Sequence, residues 1–233
     1  MAVRAFANFW HRACKVGTST KNLNRALRFL CIIDCLQTKD FHIRTALKRD
    51  LLAHYAPDPE TAIIEELGIL HGTCRIDLAV VNGVLHGYEL KSDRDTLVRL
   101  PEQVQAFAAV FDYVTLVVGE RHVRHAVEII PDWWGVRSAR FGSGKLSFCD
   151  LKLSMTNPSP DPMSVVRLLW RQEALDLLRE VRGTNTVRFK RREWIYAELV
   201  AGASCGYLRD AVRQRLKNRA DWRSDGTRLS CGD

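Results

Sequence analysis

The chain has 233 residues, 46% of them hydrophobic, and a formal net charge of +8; this is enough for one large domain or a domain with a small module. No apolar run reaches about 18 residues, so no membrane-spanning helix is expected, and the apolar stretch before Arg12 is too short for a secretory leader. The seven cysteines are an odd number without framework spacing, which predicts a reducing cytosol rather than a disulfide scaffold.

Residues 1–33 hold six basic residues and no acid. This reads as a basic N-terminal extension or helix over 1–40, in preference to a mitochondrial presequence. Leu23, Leu27, Leu30 and Ile33 predict an amphipathic helix over 22–37, with Cys31 and Cys35 as small apolar residues on it. Ile43, Leu47 and Leu51 predict another over 41–54, broken by Pro57 and Pro59. A third helix is expected from Pro59 to about Leu67, carrying Glu65 and Glu66.

Two strand-like apolar runs follow, 76–81 with Asp77 and 84–90 with Glu89. In a strand, side chains alternate between faces, so Glu89 and Lys91 share a face and Leu90 turns to the core. A two-residue turn at Asn82-Gly83 would put Asp77 and Glu89 on different faces. A three-residue Val81-Asn82-Gly83 loop, with Gly83 left-handed in a bulge, puts them on the same face. Two carboxylates beside an ammonium can hold a divalent cation and a water, which is the constellation that phosphodiester cleavage needs.

Further on, the pattern predicts a helix over 98–111, a strand over 113–118, a helix over 121–129, and strands over 136–141 and 145–149. The stretch 155–161, with Asn157-Pro158-Ser159-Pro160, is the best linker candidate. Helices are expected over 165–181, 191–200 and 207–220. On the last, Leu208, Val212 and Leu216 form an apolar stripe beside a basic row of Arg209, Arg213 and Lys217.

Charge is unevenly placed: 10 basic and 3 acidic residues over 1–56, 9 and 14 over 57–150, and 14 and 7 over 163–223. Basic flanks attract a polyanion. Arg94 and Arg99 suit backbone phosphates, and so does the Arg209, Arg213, Lys217 row. Trp133 and Trp134 suit base stacking or the core. Asp93 is a possible neighbour of the cation site, and Asp95 reads as a turn or cap residue. A zinc site from His71, Cys74 and His86 lacks a fourth ligand, and His122 and His125 read as surface or packing residues. No Walker-type loop, Gly-x-Ser-x-Gly or His-Glu-x-x-His pattern occurs, so no nucleotide cofactor is expected.

Asp77, the spacer, and Glu89-Leu90-Lys91, followed by Gln103-x-x-x-Phe107, resemble the PD-(D/E)xK nuclease superfamily over about Phe41 to Phe141. The string from Glu89 through Asp93, Asp95, Arg99, Pro101 and Gln103, with Trp133-Trp134-Gly135, is similar to an uncharacterised bacterial branch. Phe107 stands where a Tyr is common. The resemblance implies an α/β, restriction-endonuclease-like fold: a mixed central sheet flanked by helices over 41–153, followed by a helical basic C-terminal module over 163–223, with helix-turn-helix as one form. It implies Mg²⁺ or Mn²⁺ held by Asp77, Glu89 and an acid of the preceding helix, with Glu66 preferred to Glu65. Lys91 would orient the attacking water or stabilise charge on phosphorus, and Gln103 would hold a water, a ligand or a nucleotide. The expected activity is Mg²⁺-dependent hydrolysis of DNA, with RNA the lesser candidate, in a bacterial cytoplasm near the nucleoid. The alternatives are a catalytically inactive nucleic-acid-binding protein and a DNA-binding regulator on the same fold.

Overall fold

The computed structural model describes residues 37–142, 145–183 and 190–219. The basic N-terminal stretch, with Cys31, Cys35 and all but the last residue of the helix expected over 22–37, lies outside the described residues.

Helix α1, Asp40–Tyr55, buries Ile43, Ala46, Leu47 and Leu51, and Asp40 in its first turn complements the helix dipole. Next come β1, Ala62–Ile69; β2, Cys74–Val81; and β3, Leu85–Lys91. Helix α2, Leu100–Ala108, opens with Pro101 in its first turn. Strand β4, Tyr113–Gly119, the short α3, Val123–Ala126, and strands β5, Gly135–Gly142, and β6, Lys145–Lys152, complete the α/β portion. The result is a mixed six-stranded sheet in the order β1-β2-β3-β4-β5-β6. The β1–β2, β2–β3 and β5–β6 pairs are antiparallel, and β3–β4–β5 run parallel.

The helix expected over 59–67 is instead strand β1. Asp58 accepts the Glu60 amide at 3.0 Å and the Thr61 hydroxyl at 2.6 Å. This turn leads the chain into extended backbone rather than a helix. Ile63 and Ile64 are then buried on opposite faces, and pairing with β2 satisfies the backbone. Glu66, at φ 53°, interrupts the alternation. Ile63 and Leu78 pack with α1, whereas Leu67, Ile69 and Ile76 join Ile64, Ala79 and Val81 on the other face. Both strands thus change faces at Glu66 and Asp77.

The expected helix over 165–181 divides into α4, Pro162–Val166, and α5, Arg171–Arg182. Trp170 is extended there, and its amide donates to Glu173 at 2.7 Å. Helices α6, Arg192–Gly202, and α7, Cys205–Asn218, follow. This C-terminal part is helical as its periodicity predicts, but it is not a detached module. Leu175, Leu199, Leu208 and Leu216 share one buried cluster with Ile64, Leu85, Leu116 and Val136 of the sheet.

Nor is 155–161 a free linker. The Met155 amide donates to Trp133 O at 2.8 Å, the Asn157 amide to Asp112 O at 2.8 Å, and the Asp161 amide to Ala109 O at 2.9 Å. The Asn157 side chain donates to Ala108 O at 2.6 Å and to Phe111 O at 2.8 Å. The segment is a strap across the end of α2.

Candidate functional site at the splayed end of β2 and β3

The β2–β3 hairpin closes on the Val81↔Leu85 pair through the three-residue loop Asn82-Gly83-Val84. The loop is odd in length, as the same-face argument requires, but it lies one residue further on than expected. Gly83 is not left-handed; the Asn82 side chain holds the turn by accepting the Val84 amide at 3.1 Å. Paired rungs run from Val81↔Leu85 to Leu78↔Tyr88. The same register continued would set Asp77 opposite Glu89. Here the strands part, and Asp77 Oδ2 accepts the Leu90 amide at 2.8 Å in place of a ladder bond.

The parted strands open a cavity of about 660 Å³, lined by Asp40, Glu66, Asp77, Glu89, Lys91 and Gln103, with Arg75 and Arg99. Glu89 and Lys91 are almost wholly buried, at 2% and 6% exposure. Lys91 Nζ donates to Glu89 Oε1 at 2.5 Å, and Gln103 Nε2 donates to the same oxygen at 2.6 Å. Burial and then the charge of Asp77 push the Glu89 carboxyl upward, and Lys91 and Gln103 partly oppose this.

Glu66 and Asp77 are held by Arg44 of α1. Its Nη1 lies 2.7 Å from Glu66 Oε1, its Nη2 lies 2.5 Å from Asp77 Oδ1, and its Nε lies 3.3 Å from Asp40 Oδ2. Burial disfavours the Arg44 charge, but Asp77 and Asp40 outweigh it and raise the guanidinium pKa. Glu65 pairs with Lys48, away from this centre.

Six acids, Asp40, Glu66, Asp77, Glu89, Asp95 and Glu102, line the cavity, and carboxylate oxygens are the donors that hard divalent cations take. Among the described residues, Glu89 Oε2 and Gln103 Oε1 are buried without a hydrogen-bond partner. Among the described residues, no three His, Cys, Asp or Glu side chains converge as a ready-made cage. The present partners of Glu66, Asp77 and Glu89 include the cationic Arg44 and Lys91 together with the Gln103 and Leu90 amides.

Residues 38–227 match the family described as Bacteriophage P4 protein cII. The chain belongs to that family. It is similar to Protein cII of Enterobacteria phage P4, with 26% identity over 160 residues, covering 69% of this chain and 60% of that protein. The match therefore spans less than two thirds of that relative's length. Among solved structures, it is similar to the SPO1766 protein of unknown function from Silicibacter pomeroyi, at 15% identity and TM-score 0.36, covering 62% of this chain and 94% of the other.

In this member of the P4 cII family, Arg99 lines the cavity and Arg94 does not. Asp93 is turned away from the cavity, accepting the Thr38 amide at 2.9 Å and hydroxyl at 2.7 Å. Asp95 closes a turn by accepting the Ser92 amide at 2.7 Å, and it also lines the cavity. Trp134 is fully buried and stacks on Phe107, with 6.1 Å between centroids, so both belong to the core. The zinc candidates are separated: His71 pairs with Glu193, Cys74 lines the cavity, and His86 bonds Thr115.

The expected outward basic row on α7 is corrected. Arg209 and Arg213 both pair with the buried Asp112, Arg213 also pairs with Asp210, and Lys217 lies 3.0 Å from Glu60. The buried Asp112 carboxylate also accepts the Leu85 amide, and a buried anion draws in cations. The row therefore clasps α7 to the sheet. The sequence reading missed Asp40 and Arg44. Their spacing of four residues at the start of α1 marks one helix face, but nothing local to them points to Asp77. Among the described residues, no helix is long and apolar enough to cross a membrane.

Proposed function

We propose that this P4 cII-family protein is a DNA-binding regulator built on a nuclease-like α/β scaffold, engaging the DNA backbone at the mouth of the β2–β3 cavity. The observation that carries this reading is the pairing of the acidic centre. Arg44 holds Glu66 and Asp77, while Lys91 and Gln103 hold Glu89. Carboxylates neutralised by their own chain repel a polyanion less. The exposed Arg75 and Arg99 stand at the rim to meet phosphates, and the chain's charge of +8 favours the encounter. The mixed sheet, with Asp77, Glu89 and Lys91 at one end of its hairpin, supports the restriction-endonuclease-like reading of the scaffold.

A second reading, metal-dependent hydrolysis of DNA, is favoured by the unpartnered Glu89 Oε2 and Gln103 Oε1. Asp77, Glu89 and Glu66 would hold Mg²⁺ or Mn²⁺, which when bound supplies a water of lowered pKa. Gln103 and Lys91 fix the Glu89 carboxylate, and Lys91 keeps an ammonium in the cavity to face a phosphate oxygen.

One experiment separates the readings. Labelled duplex DNA is titrated with the full chain in EDTA and in Mg²⁺, following anisotropy and strand nicking. The regulator reading expects salt-dependent binding in both buffers and intact DNA. Nicking in Mg²⁺ that disappears in an Asp77→Asn variant with a native melting transition would establish the hydrolytic reading, and absence of binding in both buffers would remove both.

A further inference from the structure

We infer that Arg44 is a built-in counter-cation of the cavity, occupying the oxygens of Glu66 and Asp77 that a divalent cation would take, and so setting the affinity of the site for that ion. The inference rests on the metal-dependent reading of the cavity.

Three carboxylates from three elements meet one guanidinium: Asp40 from α1, Glu66 from β1 and Asp77 from β2. Arg44 is carried on a helix whose next residues toward the core, Ile43 and Leu47, are fully buried, so its backbone is fixed. Its side chain is only 21% exposed and that of Asp77 18%, so breaking this pair leaves two partly desolvated charges. Among the described residues, Glu89 Oε2 is buried without a hydrogen-bond partner, and Glu89 is a carboxylate that Arg44 does not hold.

An ion entering beside Glu89 therefore meets two carboxylates already engaged, and the guanidinium must give them up. Asp40 lies one helical turn before Arg44 and already touches its Nε. It remains as a partner for the displaced guanidinium. A guanidinium is charged at every ordinary pH, so an incoming cation must displace it from the two carboxylates. Arg44 acts as a positioning residue through Glu66 and Asp77.

The test is Mn²⁺ binding to the full chain, read from the electron paramagnetic resonance signal of free Mn²⁺ and from the Mn²⁺-dependent shift in Tm. Wild type, Arg44→Gln and Arg44→Gln/Glu89→Gln are compared. Arg44→Gln is expected to bind Mn²⁺ at least about tenfold more tightly, the factor matching release of one partly buried pair. Its Tm should be lower in EDTA and rise more with Mn²⁺, and the added Glu89→Gln should reverse the gain. Equal affinity in wild type and Arg44→Gln, with loss in the double variant, would overturn the role of Arg44 and leave the metal reading standing. No binding by either at millimolar Mn²⁺ would overturn both. If Arg44→Gln does not fold, Arg44→Lys serves, since an ammonium cannot span Glu66 and Asp77 with two separate nitrogens. It should bind more tightly than wild type, and equal or weaker binding would overturn the inference.

Discussion

The carboxylate of Asp77 accepts the backbone amide of Leu90 at 2.8 Å. A side chain thus supplies a bond that a sheet normally draws from a carbonyl, and the last paired rung, Leu78↔Tyr88, lies just before it. The strands can then part without stranding a buried donor. The same carboxylate offers its other oxygen to Arg44. Asp77 is therefore both a structural bracket and an acid of the cavity, so Asp77→Asn is a better probe than Asp77→Ala: it keeps an acceptor for Leu90 and removes the charge.

Removing the rim cations Arg75 and Arg99 together should weaken DNA binding about equally for unrelated sequences, because phosphate contacts carry no base information. The log–log salt slope should flatten by roughly 1.8 units if each meets one phosphate. Anisotropy titrations at several salt concentrations measure this. Arg209→Ala/Arg213→Ala, in the α7 clasp, should leave the slope unchanged.

Asp112→Ala should destabilise the fold by about 2 kcal/mol, because it removes the acceptor of the buried Leu85 amide and the anion shared by two partly buried arginines. Asp112 has a side chain only 3% exposed and pairs with Arg209 and Arg213. It also accepts the Leu85 amide at 2.7 Å. Urea unfolding followed by circular dichroism gives the number, and a loss below about 1 kcal/mol would mean that the clasp contributes little.

Lys91→Met should be strongly destabilising, on the order of 3 kcal/mol, because it strands a buried Glu89. Lys91→Met/Glu89→Leu should recover most of that loss, because it removes the buried charge together with its partner. A double variant no more stable than Lys91→Met would show that the pair is not the source of the cost.

Burial lowers the His86 pKa to about 4. Folding therefore favours the neutral ring. The stability His86 contributes is fully present above its unfolded pKa of about 6.5 and is lost as pH falls through the folded value. Between pH 7.5 and pH 5 this amounts to roughly 2 kcal/mol. His86→Gln keeps a polar partner for Thr115 Oγ1, which now lies 2.9 Å from Nε2, and does not titrate. Its stability should fall less over that interval, as urea unfolding at the two pH values would report.

The hairpin, α1 and β4 were legible because each buries a regular apolar pattern on known faces. β1 was not. Ile63, Ile64 and Leu67 also fit helical spacing, and the left-handed Glu66 removes the alternation that would have marked a strand. Glu89 and Lys91 were legible because they lie two residues apart on one strand, whereas Gln103, 14 residues from Glu89 on α2, was marked by the resemblance. Arg44 was not, because its partner Asp77 is 33 residues away and on another element. The α7 row was visible as a row, but its direction depends on Asp112, 97 residues before Arg209.

The strap over 155–161 has a consequence for how the molecule can be divided. Its Asn157 is buried and bonded to the end of α2, and the helices after it complete the core under the sheet. A protease cut within the strap should therefore nick the protein without releasing either half. Separately expressed halves split there should be insoluble or poorly folded alone, and should regain a native melting transition when refolded together.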